Sequence, residues 1–165
     1  MRKILLGLAI IGFLLPGVTH ADLTSAKRAY DSGDFRTAFQ EFKGLAEQGN
    51  GFAKNRLGEL YRDGKGTDQN FEAAAAWFQK ATDDGYLRAY WNLGRMYEAG
   101  VGLDQDYVLA FKWYYLGRTT SQNVHALRRV KTKMSPIQKA EAKNLARDLQ
   151  RLRPSFRGLP AGFHL

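Results

Sequence analysis

Two stretches of this chain carry the same residues in the same order about 36 positions apart, a period that belongs to stacked helical hairpins. Ala53, Leu57, Gly58, Tyr61, Gly64, Gly66, Asp68, Gln69, Ala74 and Trp77 return as Ala89, Leu93, Gly94, Tyr97, Gly100, Gly102, Asp104, Gln105, Ala110 and Trp113. No gap is needed to align them. A chain built this way stacks each unit on its neighbour and offers one continuous surface, which suits binding better than catalysis.

The spacing within a unit gives its local structure. Ala53, Leu57 and Tyr61 stand four apart and share one helix face. Gly58 lacks a side chain where another helix has to come close. Gly64 and Gly66 provide a turn of positive φ. Asp68 and Asn70 are placed to cap a second helix with Ala74, Trp77, Phe78 and Ala81 on its inner face. Gly85 ends that helix and returns the chain to Ala89. The unit is an antiparallel helix pair with Tyr61, Tyr97, Trp77 and Trp113 as expected core aromatics.

The Leu-Gly-x-x-Tyr, the Gly-x-Gly loop, the Asp and the Ala-x-x-Trp followed by Phe or Tyr, present in both copies, resemble the Sel-one-like repeat (SLR), a relative of the tetratricopeptide repeat (TPR). Lys65 between the loop glycines, and Thr82 and Arg118 at positions where a small residue is common, depart mildly from that pattern. A degenerate first copy precedes the two. Ala38, Phe42, Gly49 and Ala53 lie one period before Ala74, Phe78, Gly85 and Ala89, but Tyr30 to Phe35 forms a shorter, TPR-like turn. The resemblance, from about Leu23 to Arg118, implies an all-α fold: a right-handed α-solenoid of antiparallel helix hairpins. The expected units are 22–52, 53–88 and 89–118, followed by basic capping helices over 119–153 and a tail at 154–165.

The ends of the chain differ in character. Arg2 and Lys3 precede an unbroken small and apolar run from Ile4 to Leu15, then Pro16-Gly17 and a small-x-small site at Thr19-His20-Ala21. That run is short for a membrane-spanning helix and reads as a secretory signal peptide over 1–21, with an uncleaved anchor as the alternative. With no cysteine there is no lipidation site and no disulfide framework, which together with export points to a Gram-negative periplasm or to secretion. Ser135-Pro136-Ile137-Gln138 is a helix start of the capping-box type, opening a helix with Ile137, Ala142, Leu145, Ala146, Leu149 and Leu152 on its apolar face.

Charge is divided unevenly. The formal net charge is +9, and from Thr119 onward Lys and Arg face only Glu141 and Asp148. Lys139, Lys143, Arg147 and Arg151 recur every four residues as a basic stripe, either a solvated face or a surface for an anionic envelope partner. Nucleic acid is not an expected partner, because export separates the chain from it and no recognition motif occurs.

No motif for catalysis, a metal or a cofactor appears. His125 and His164 are far apart, and Gly64-Lys65-Gly66-Thr67 is a hairpin turn without the strand and spacing of a phosphate loop. What the resemblance implies is a non-enzymatic adaptor that holds a protein or extended peptide in a concave groove. Its alternatives are a binder or hydrolase of β-lactam or wall-derived ligands, as in cysteine-rich members of the family, and a structural accessory of an envelope machine such as a polysaccharide exporter or flagellar motor. In TPR-type hairpins the first helix of each unit lines the concave side. By that logic Arg28, Asn55, Glu59, Arg62, Trp91, Asn92, Arg95 and Glu98 are the groove candidates, with amides for a peptide backbone, arginines for a carboxylate and Trp91 as a flat anchor.

Overall fold

The computed structural model describes residues 22–152; the expected signal peptide and tail lie outside them. The described residues form helices α1 (Leu23–Asp31), α2 (Phe35–Glu47), α3 (Gly51–Asp63), α4 (Phe71–Asp83), α5 (Leu87–Ala99), α6 (Tyr107–Leu116), α7 (Ser121–Lys133) and α8 (Pro136–Leu152). No strand occurs among them. α1 packs on α2, α3 on α4 and α5 on α6, and each second helix also packs on the first helix of the next unit. That is the helical solenoid the repeat spacing predicts.

Local chemistry sets the helix ends. Asp34, Asn50, Asn70 and Asp106 each accept a hydrogen bond from a backbone N–H in the first turn of the helix that follows. Asn70, rather than Asp68, caps α4. Gln69 and Gln105 have the matching task at the other end of the loop: their amides donate to the Arg62 and Glu98 carbonyls at the ends of α3 and α5. Ser135 and Gln138 close a reciprocal capping box, at 3.2 and 3.0 Å.

The loop glycines answer to two constraints at once. Gly66 and Gly102 have φ of +73° and +69°, and a Cβ at either would run into the backbone of Phe35 or Phe71, the first residue of the second helix one unit earlier. The Gly-x-Gly loop of each unit is thus pressed onto its predecessor. The first hairpin has no earlier hairpin among the described residues, and its turn through Gly33 is correspondingly short.

The core follows the predicted faces closely. Ala38, Phe42, Ala53, Leu57, Ala74, Phe78, Ala81 and Ala89 are all fully buried. Gly58 and Gly94 admit the rings of Phe78 and Tyr114, which a Cβ would approach to 2.7 and 2.6 Å. Among the expected core aromatics Trp113 is buried, whereas Trp77, Tyr61 and Tyr97 are half-buried. Trp77 lies at the edge of the first core cluster with the Lys80 ammonium over its ring, a placement an amphipathic indole tolerates.

The last two described helices depart from the hairpin plan. α7 continues the series as a first helix, burying Asn123, Leu127 and Val130, but α8 packs on α6 instead of folding back along α7. Ala142 and Ala146 are buried in that contact and Leu145 and Leu149 half-buried. Ile137, expected on the apolar face, is instead 81% exposed on the first turn of α8. The residues of α8 that are buried in the core begin at Ala142, past its first turn.

Candidate partner-binding groove

The first helices α3, α5 and α7 stand side by side and carry most of the residues expected in the groove. α3 and α5 are joined by a polar ladder. Asn92 Nδ2 donates to Asn55 Oδ1 at 2.9 Å, Asn55 Nδ2 donates to Glu59 Oε1 at 3.1 Å, and Arg56 Nη1 reaches Glu59 Oε2 at 2.7 Å. Arg62 Nη1 donates to Asn92 Oδ1 at 3.3 Å. Asn55, Asn92 and Glu59 are buried. Their polar groups satisfy one another, as buried polar groups must, and the two amides are not free to bond a peptide backbone. They hold the register of neighbouring units. Arg62 is half-buried and also paired with Asp63, at 2.7 Å; that hydrogen bond raises its pKa against the opposing cost of burial.

Glu98 has a different set of internal partners from the one its place in the groove suggests. It accepts from Tyr114 Oη at 2.7 Å, from Arg129 Nε and Nη2 at 2.9 and 2.6 Å, and from Lys133 Nζ at 3.0 Å. The Arg129 guanidinium is the main cause that holds the Glu98 carboxyl at a pKa of about 2, against the opposing effect of burial, with Tyr114 and Lys133 adding to the shift. Burial, then the carboxylate, raises the Tyr114 hydroxyl. Glu98 thereby ties α5, α6 and α7 together. Tyr114, Arg129 and Lys133 were not among the candidates. For Tyr114 alone the sequence holds a signal, a paired change: Tyr114 stands one period after Phe78, and Glu98 one period after Arg62.

Trp91 and Arg95 are what remains open. Trp91 is half-buried, its body against the core of the capping region and its ring between two depressions along the α5–α7 seam. One, of about 480 Å³, runs past Arg88, Thr120 and Gln122; the other, of about 390 Å³, runs past Arg95, Glu98, Arg129 and Lys133. The exposed Arg95 guanidinium lies 4.7 Å from the Trp91 ring centroid, within cation–π range. In the second depression three cations face one carboxylate, so the wall stays electropositive with Glu98 ionised. Arg28 is exposed on α1 and lines neither depression.

The basic stripe on α8 is exposed along its length, with Arg151 Nη1 3.9 Å from Asp148 Oδ1. Among the described residues no group of three or more His, Asp or Glu is placed to hold a metal ion, and no helix is long and apolar enough to cross a membrane.

Comparison with known proteins agrees with this architecture. The family described as Sel1 repeat matches residues 51–86 and 87–117. A crystal structure of a protective antigen present in uropathogenic Escherichia coli strains, displaying an SLR fold, is similar with a TM-score of 0.72 at 22% identity; the similarity covers 85% of this chain and 33% of that one. A Sel1 repeat protein from Oxalobacter formigenes is similar with a TM-score of 0.64 at 27% identity, covering 68% of this chain and 47% of that one. The chain thus spans a third to a half of the length of these structural neighbours. No curated protein matches it. Sel1 repeats generally mediate protein–protein interactions, and the fold is typically non-enzymatic. The chain thus carries two consecutive segments, 51–86 and 87–117, that match the Sel1 repeat, within a helical solenoid similar to solved structures of the SLR fold.

Proposed function

We propose that this chain is an exported, non-enzymatic adaptor of the cell envelope that holds an extended segment of a partner protein along the α5–α7 seam. The observation that carries the reading is the Trp91–Arg95 pair: an aromatic ring left half-open between two depressions, with a guanidinium over it at 4.7 Å that forms no salt bridge among the described residues. A half-open indole in a recess is the kind of anchor on which binding energy concentrates. The electropositive wall formed by Arg95, Arg129 and Lys133 suits a partner segment with an acidic side chain beside an apolar one. Export rests on the amino-terminal segment from Arg2 to Ala21, and the periplasm on that segment together with the absence of cysteine.

Crosslinking in the periplasm of cells producing the full chain, followed by mass spectrometry, tests this directly. The double substitution Trp91→Ala with Arg95→Ala is expected to remove the specific crosslinked partner, leaving helicity unchanged. Capture that survives the double substitution rejects the seam as the binding site.

A further inference from the structure

Arg88 and Arg95 stand seven residues apart on α5. That spacing puts them about 20° apart around the helix and about 10.5 Å apart along it. Both are exposed, and neither forms a salt bridge among the described residues. Arg88 lines the first depression of the seam and Arg95 the second, while Trp91 lines both. Leu87, one turn before Trp91, is 43% exposed and gives the first depression accessible apolar surface. Arg129 and Lys133 in the second depression already pair with Glu98. The positive charge of α5 that no ion pair among the described residues takes up is therefore that of Arg88 and Arg95, one before and one after Trp91 along the helix. The N-cap residue Tyr86 makes no side-chain cap hydrogen bond, so the positive end of the helix macrodipole adds to Arg88.

We propose that the partner segment carries two acidic side chains three residues apart, one for Arg88 and one for Arg95, with an apolar residue between them over Leu87 and Trp91. This rests on the seam reading above and sharpens it, from an acid beside an apolar residue to an ordered pattern. Charge complementarity selects the acids, which guanidinium groups bind in bidentate fashion. Length selects their spacing. A polyproline-II segment advances about 3.1 Å per residue and turns once in three, so acids at i and i+3 lie about 9.3 Å apart on one side. The flexible arginine stems take up the difference of about 1 Å. Adjacent acids do not span that distance, and a helical partner, at about 1.5 Å per residue, needs them seven apart.

Fluorescence anisotropy of the full chain with the labelled synthetic peptide Gly-Ser-Glu-Leu-Pro-Glu-Ser-Gly tests the pattern. Saturable one-to-one binding is expected. The isomer Gly-Ser-Leu-Glu-Glu-Pro-Ser-Gly, with its acids adjacent, should bind about tenfold more weakly, because one carboxylate loses its guanidinium. Arg88→Glu, at an exposed position, should weaken the first peptide by about tenfold or more, and a lysine in place of one of its two glutamates should restore binding to that variant. No saturable binding, equal binding of the isomer, an Arg88→Glu variant without effect, or association only with phosphatidylglycerol vesicles would each overturn the proposal. Crosslinking in the periplasm separates its failure from that of the seam. If Arg88→Glu keeps the crosslinked partner while Trp91→Ala with Arg95→Ala removes it, the two-acid pattern falls and the seam stands. If the partner survives both, the seam falls too.

Discussion

The second and third hairpins share one plan and part at one aromatic ring. In α3/α4 the ring above the packing glycine is Phe78, and Arg62 at the end of α3 turns to Asp63 and Asn92. In α5/α6 the ring is Tyr114, whose buried hydroxyl needs an acceptor, and Glu98 stands where Arg62 would be. Glu98 then collects Arg129 and Lys133 from α7. The difference teaches that a mismatch between repeats is not by itself a mark of partner recognition. Of the mismatched pairs Asn55/Trp91, Glu59/Arg95 and Arg62/Glu98, Asn55, Glu59, Arg62 and Glu98 are largely occupied inside the molecule, whereas Trp91 and Arg95 keep an open face.

The strongest test concerns what the hairpins have in common. Gly66→Ala and Gly102→Ala each place a Cβ at positive φ against the backbone of the preceding unit. Each is expected to cost about 3 kcal/mol or more, read as a fall in the urea midpoint, since strain and overpacking add. Unequal losses would show that the two loops are not equivalent. The next test transplants the difference. Phe78→Tyr puts a hydroxyl into the second hairpin without the acceptor Tyr114 has and should cost about 2 kcal/mol. Adding Arg62→Glu should recover roughly half of that in a double-mutant cycle, whereas simple additivity would break the pairing argument.

The smallest effect is one of pH. The Glu98 carboxyl has a folded-state pKa of about 2 against an ordinary value of 4.5. Its contribution to stability is therefore complete above the ordinary value and is lost as pH falls from there through the folded value. Glu98→Gln should flatten the decline of stability over that interval, as seen in melts at successive pH values. Arg62→Gln should leave it unchanged, because the raised guanidinium pKa lies far from acid. An unaltered slope in Glu98→Gln would show that Arg129 and Lys133 do not hold the carboxylate in solution.

Much of the fold is legible because a repeat repeats its own evidence. The buried set Ala53, Leu57, Ala74, Phe78, Ala89 and Leu93 follows directly from spacing, as do the positive-φ glycines of the loops. The candidate site is less legible. Spacing places Asn55 and Asn92 on the right helices and near the right face, yet only contact across units decides that their amides meet at 2.9 Å. Trp91 was identifiable as the odd residue against Asn55; its partner Arg95 follows from four-residue spacing. Arg129 and Lys133 were hidden, because nothing local connects α7 to an acid on α5.

The sequence by itself determines the hairpin, its period and its close-packed glycines, because these depend on periodicity and on φ values within a few residues. Tertiary structure alone decides how the series ends. α8 abandons α7 for α6 and exposes Ile137, while Glu98 fastens α7 to the hairpin before it. The choice lies between two apolar surfaces of similar kind, and their shapes exist only after the preceding units have stacked.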